Sequence, residues 1–398
     1  MKTIISSALI VLGTSAFAQW TTLESGTLNE LGAVLVDDAD TYWVAGELGT
    51  LMKSTDGGAT WTTISIAQAG DIEAIERLID TTLLFAADDS QIGRSTDDGT
   101  TWSLIATGAP NVLYDITSFD NHAWASGRDG GLVHSNDAGV TWSVQNSGSN
   151  ERLHGIHAMD AMNVIAVGRN GTFLRTTNGG ETWIGSTLAN GEDLADVIFL
   201  QDASQTGLIA GPPSEILRSI DLGADWAAID LNDPREIGSL ASENGAVVYA
   251  VGADAIILRS QDQGATWEQM TTDAIAELGA VDVKDGVAVA AGANGTILKY
   301  DPSLQPQAIG EIKATADLSI YPNPTKGPVT IELKDMQIVN DGFSLELLLM
   351  DGRLVDRTVW PIGKKKAFIQ QLDPGNYIVR LVSLNGIALQ RSLLVVAD

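Results

Sequence analysis

Ser54-Thr-Asp-Gly-Gly-Ala-Thr-Trp61 is the stretch on which the fold turns, because it recurs. Its copies are Ser95-Thr-Asp-Asp-Gly-Thr-Thr-Trp102, Ser135-Asn-Asp-Ala-Gly-Val-Thr-Trp142, Thr176-Thr-Asn-Gly-Gly-Glu-Thr-Trp183, Ser219-Ile-Asp-Leu-Gly-Ala-Asp-Trp226 and Ser260-Gln-Asp-Gln-Gly-Ala-Thr-Trp267. With Trp20 added, the tryptophans fall at intervals of 41, 41, 40, 41, 43 and 41 residues. Such a fixed period marks repeated supersecondary units stacked to share a core. Within each octapeptide the Ser and Asp side chains can accept backbone N–H bonds in a tight turn. The invariant Gly permits positive φ, and the Trp offers a large apolar face.

A second element, such as Val44-Ala-Gly or Ala166-Val-Gly, precedes each octapeptide. A third follows each Trp as a pair of aliphatics: Leu31/Val34, Ile72/Ile75, Leu113/Ile116, Leu153/Ile156, Leu194/Val197, Ile237/Leu240 and Leu278/Val281. Small and β-branched residues dominate, turn signals separate the runs, and no helical period persists. Each unit therefore reads as four short strands, and seven of them as an all-β, seven-bladed propeller. The seventh unit stops after Thr296-Ile-Leu-Lys-Tyr300 without an octapeptide, while Trp20-Thr-Thr-Leu23 has none before it. The N-terminal strand is expected to complete the last blade and so remove the open sheet edges.

The octapeptide resembles the Asp-box, or BNR repeat. That resemblance places the turns at the blade periphery and implies structural roles for Asp56, Asp97, Asp137, Asn178, Asp221 and Asp262 and for Trp61, Trp102, Trp142, Trp183, Trp226 and Trp267. Among Asp-box propellers, the segments Val167-Gly-Arg-Asn-Gly-Thr-Phe-Leu-Arg-Thr176 and Ala291-Gly-Ala-Asn-Gly-Thr-Ile-Leu-Lys299 most resemble the photosystem II assembly-factor family. Sortilin-like receptors, sialidases and xyloglucanase-type glycosidases share the motif. The family resemblance implies a non-catalytic propeller.

The rest of the 398 residues resolves around this ring. Lys2, the apolar run Ile4–Leu12 and Ala16-Phe17-Ala18 read as a signal peptide over residues 1–18. The propeller is expected over 19–301, followed by a linker over 302–317 and a small β-sandwich over 318–398. The last unit carries Tyr321-Pro322-Asn323-Pro324 with Gly327, then Gly352-Arg353, then Gly375 and Tyr377, in an order that resembles the type A C-terminal sorting domain of the type IX secretion system. The resemblance implies Sec export through the periplasm, handling by the type IX machinery, and a secreted or cell-surface destination.

Composition sets limits. The chain carries a formal charge of −28. Residues 302–398 are neutral, so the acidity belongs to the propeller, with 41 acidic and 12 basic side chains. This balance argues against nucleic acid, whose binding needs basic surface. No Cys is present, which excludes disulfides and thiol nucleophiles. No transmembrane segment, cofactor or metal is expected in the mature chain, and a monomer is expected. His154 and His157 stand three apart in a strand, which should place them on opposite faces.

No catalytic constellation is concentrated in the sequence; a sialidase would need an Arg triad and a Tyr/Glu pair that do not appear. A propeller is expected to bind through the face carrying the loops into its innermost strands and those joining its second and third strands. On that face the first loop group supplies Asp71, Glu73, Tyr114, Asp115, Arg152, His154, Asp193, Asp196, Arg235 and Glu236, and the second supplies Arg128 and Arg169 with Glu47, Asp89, Asp129 and Asp254. The favoured reading is a non-catalytic surface module for a protein or glycan. The alternative is a glycoside hydrolase or lyase with a carboxylate pair on this face.

Overall fold

The computed structural model describes residues 20–66, 69–200, 205–211, 213, 215–243, 245–272 and 274–300, together with 317–321, 329–334, 343–349, 354–360, 366–369, 374–383 and 388–396. The leader motif, residues 302–316 of the linker, Pro322-Asn323-Pro324, Gly327, Gly352 and Arg353 lie outside the described residues, and the linker's last residue, Asp317, begins a strand. The chain divides into two compact units, residues 1–305 and 306–398.

Seven four-stranded antiparallel sheets form the first unit. Their innermost strands are Ala33–Val36, Ile72–Ile79, Leu113–Phe119, Leu153–Ala158, Asp196–Phe199, Ile237–Ala241 and Leu278–Lys284. These strands contain or directly follow the paired aliphatics of the third repeat element, whose side chains pack in the clefts between blades. One such cluster joins Leu51 and Trp43 of blade 1 to Ile72, Ile75 and Phe85 of blade 2.

The ring closes as the repeat arithmetic requires. Thr21–Leu23 pairs antiparallel with Thr296–Tyr300, with Thr21 opposite Lys299 and Leu23 opposite Ile297, as the outer strand of blade 7. Trp20 is buried against Tyr249 and Tyr300.

The octapeptides form near-identical turns. In the second copy Ser95 Oγ donates to Asp97 Oδ1, the Gly99 N–H donates to Ser95 Oγ, and Asp97 accepts from both the N–H and the hydroxyl of Thr101. The Thr176/Asn178 copy keeps the backbone part of this pattern, but Asn178 Nδ2 donates to the Thr182 hydroxyl instead of accepting from it. Where Asp225 replaces Thr, its backbone N–H still donates to Asp221. Hydrogen bonding from the Thr holds the carboxyls of Asp97 and Asp137 down at about 2.

A cation on the third strand reaches across to the next blade's turn. Arg94 donates to the Ala138 carbonyl and Arg218 to that of Gln263, each at 2.8 Å. Lys53 and Lys299 donate likewise to Asp98 and Gly57. Blade 3 carries His134 at this position, and Trp124 and Gln145 donate to Gly179 instead.

The second unit holds a three-stranded sheet (Asp317–Tyr321, Val329–Lys334, Lys366–Ile369) and a four-stranded sheet ordered Leu354–Trp360, Phe343–Leu349, Gly375–Ser383, Ala388–Val396. Val329, Ile331, Leu345, Leu347, Tyr377 and Val379 are buried. Two small sheets with these inward apolar positions make the β-sandwich.

Candidate functional site

The two loop groups meet on one face. Arg128 donates its backbone N–H to Val112, Arg169 to Arg152, Glu47 to Glu30 and Ala293 to Glu277, so these loops between second and third strands are tied to the segments entering innermost strands. The Gly that ends the second repeat element makes this approach possible: a Cβ at Gly168 would lie 2.0 Å from the Arg152 carbonyl oxygen.

Below this mouth runs a central channel of about 860 Å³ lined by the innermost strands, with Glu73, Glu76, Asp115, His154, Asp196 and Asp282 on its wall. Three aspartates clip neighbouring blades together. Asp115 accepts from the N–H groups of Ile116 and, across the junction, Ile156. Asp196 does the same with Val197 and Leu240, and Asp282 with Val283 and Val36. Other junctions use other groups: Ser118 Oγ donates to Glu76, Ser239 accepts from Val281, and Arg77 pairs with Asp37.

Burial acts on every carboxyl in the channel. It pushes Glu73 up to about 7, helped by the charges of Asp71, Asp88 and Glu30. It pushes Glu76 up to about 7 against the Ser118 hydrogen bond, and Asp196 and Asp282 up to about 6 against their backbone donors. Asp115 is raised well above the usual carboxylate range by burial and then by Asp196. All five remain half-buried and open to channel water, which moderates the effect.

The anticipated site residues divide into three groups. Tyr114, Arg152 and His154 come together: the Arg152 guanidinium lies 5.3 Å from the Tyr114 ring centre, and the Tyr114 and His154 rings are 5.8 Å apart. Arg169, in the adjoining loop, sits 3.6 Å from Asp193, while Arg128 occupies the equivalent loop one blade earlier. Neither Arg128 nor Arg152 has an ion-pair partner among the described residues. His154 Nε2 is buried without a hydrogen-bond partner and is held neutral by burial and by Arg152. A second cavity of about 480 Å³ opens beside it, lined by Asp193, Glu236 and Glu277.

The second group is occupied elsewhere. Arg235 is held by Asp233 at 2.6 Å, and Asp71 accepts the Leu48 N–H at 2.8 Å. The third group, Asp115 and Asp196, faces the channel and joins blades.

His154 and His157 both border the channel, on a strand whose register shifts between Leu153 and Gly155. Burial lowers His157 to about 4. Sequence reasoning missed Glu76 and Asp282 on the channel wall. Their signal was present, since each sits one residue beyond the second aliphatic of the repeat.

A family model described as photosynthesis system II assembly factor YCF48 matches residues 149–298, and one described as a secretion system C-terminal sorting domain matches residues 319–395. The chain is a seven-bladed propeller followed by a segment similar to a secretion sorting domain. Among solved structures, the propeller superposes on YCF48 from Cyanidioschyzon merolae with a TM-score of 0.60 and 18% identity, over 72% of this chain and 100% of that one. YCF48 bound to D1 peptide gives 0.61 and 18%, over 73% and 97%. An extracellular domain from B. thetaiotaomicron gives 0.53 and 16%, over 96% of this chain and 58% of that one. At these identities the likeness is one of fold. No curated protein matches the chain in sequence. The sorting domain indicates export through the type IX secretion system.

Proposed function

We propose that the exported propeller is a non-catalytic binding module that takes an anionic group of a protein or glycan at the mouth over blades 3 and 4. The observation that carries this reading is the company of Arg128, Arg152 and Arg169. Most other cations of this strongly acidic ring are engaged with their neighbours, Lys53, Arg94, Arg218 and Lys299 on adjacent turns, Arg77 on Asp37 and Arg235 on Asp233, whereas Arg128 and Arg152 have no ion-pair partner among the described residues and Arg169 reaches only Asp193 at 3.6 Å. Here guanidinium groups stand at a cavity mouth beside Tyr114 and the unpartnered His154 Nε2. A planar guanidinium stacked on an aromatic ring suits carboxylate recognition and tolerates a flat or sugar-like face alongside. The YCF48 structure with a bound peptide shows that a propeller of this fold can hold one.

The test compares the full chain with Arg152→Ala/Arg169→Ala on an array of uronic-acid polysaccharides and acidic peptides. Wild-type binding that the double variant loses supports the reading; equal binding by both overturns it. A second reading, polysaccharide cleavage, is favoured by one observation: Glu73 titrates near neutrality beside a large cavity, as a general acid would. Turnover abolished by Glu73→Gln would establish it in place of the first.

A further inference from the structure

The opposite arc of the mouth carries a different signature. Leu28, Leu48 and Ile275 are exposed to 83, 81 and 90% respectively, against a ring whose aliphatics are otherwise mostly packed between blades. Each stands on the mouth face. Leu48 is in the loop between the second and third strands of blade 1, Leu28 precedes that blade's innermost strand, and Ile275 precedes that of blade 7. The loops are fixed: Asn29 Nδ2 donates to Thr50 Oγ1 at 2.9 Å, and Ala274, next to Ile275, packs against the buried cluster of blades 6 and 7.

Leu48 departs from its own repeat. The equivalent positions are Asp89, Asp129, Asn170, Asp254 and Asn294, all left-handed, with φ between 50 and 61°. Asp and Asn tolerate that conformation because their short polar side chains bond locally. Leu48 holds φ 56° with a branched apolar side chain. The backbone accepts strain there, and the side chain contributes nothing to the core in return. Strain kept without a packing reward marks a residue retained for what it presents.

We infer that this arc, from Ile275 to Leu48, docks a basic amphipathic segment of another protein. Its aliphatic side chains would meet Leu28, Leu48 and Ile275, and its Lys or Arg groups would meet Glu30, Glu47 and Glu277. These three carboxylates are exposed and have no cation within ion-pair distance among the described residues. Charge complementarity selects this occupant. A second copy would bring one acidic propeller against another, and an anionic lipid surface would be repelled. The inference is independent of the arginine site on blades 3 and 4.

The test uses the full chain and a labelled amphipathic leucine–lysine peptide, read by fluorescence anisotropy, with an all-lysine peptide as control. Leu48→Asn combined with Leu28→Ser and Ile275→Ser is expected to weaken leucine–lysine binding roughly tenfold or more and to leave all-lysine binding unchanged. Leu48→Asn alone is expected to melt at or above the wild-type temperature, which separates lost docking from lost fold. Equal binding of both peptides, or unchanged binding by the triple variant, overturns the proposal. So does variant-sensitive binding to phosphatidylcholine–phosphatidylglycerol vesicles without peptide binding, or wild-type self-association that the variant abolishes.

Discussion

Replacing Trp20 with Ala tests whether the ring depends on its closing strand. The indole is 1% exposed and sits with ring centres 5.8 Å from Tyr249 and 5.7 Å from Tyr300. A tryptophan buries roughly 150–250 Å², which at about 25 cal/mol per Å² corresponds to about 4–6 kcal/mol. Trp-to-Ala changes in cores cost about 3–5 kcal/mol. The indole nitrogen has no hydrogen-bond partner, so the loss is one of packing, and about 4 kcal/mol is the expected figure. Thr21 and Thr22 are exposed, so Trp20, with Leu23 packed against the Val36 and Tyr42 cluster, anchors the short strand Thr21–Leu23. Without it the strand should release Thr296–Tyr300. Urea denaturation of wild type and variant gives the total. Native-state hydrogen exchange locates it: protection should fall more at Thr296–Tyr300 than at Leu132–Ser135 in blade 3. A loss below about 1 kcal/mol, or one spread evenly over the blades, would refute the account of closure.

Two further predictions concern protons. Burial raises Glu76 to about 7, so the folded ring holds a proton that the unfolded chain releases, and stability declines as pH rises from the ordinary carboxyl range through about 7. Glu76→Gln, which can still accept from Ser118, should therefore gain about 3 kcal/mol at pH values above about 8 and nothing near pH 4, as melts at both values would show; an equal difference at both would count against it. Asp137 has the opposite sign. Its hydrogen bonds stabilise the fold above the ordinary carboxyl range and are lost as pH falls through about 2, so the deficit in melting temperature of Asp137→Ala should be full at neutral pH and vanish in strong acid.

The strand count and the closure were legible because both are arithmetic. The Trp spacing counts the units, and a unit lacking its last strand must borrow one. The site was legible only in outline. Loop positions follow from the repeat, so Arg152, His154 and Arg169 could be placed on the correct face. What each side chain does there could not be read. Asp193 and Arg235 look alike in sequence as loop charges, yet Asp193 lies by Arg169 at the mouth whereas Arg235 is held by Asp233. The register shifts at Leu113/Asp115 and Leu153/Gly155 in the innermost strands carry no residue signature. Leu48 was invisible for a related reason: nothing in an apolar residue type reveals a left-handed backbone.

The aspartate clips have a consequence of parity. Asp115, Asp196 and Asp282 couple blade 3 to 4, 5 to 6 and 7 to 1. An alternating bond pattern cannot close on an odd ring, so one member is left single, and that member is blade 2. It meets its neighbours through the Arg77–Asp37 pair and the Ser118–Glu76 bond instead. Seen this way the ring is three couples and an unmatched blade. That blade's joints rest on charge and long side chains, with Arg77 on Asp37 and Lys53 on Asp98, so they should weaken with added salt while the backbone-bonded clips, the seam where the two ends of the chain meet among them, should not.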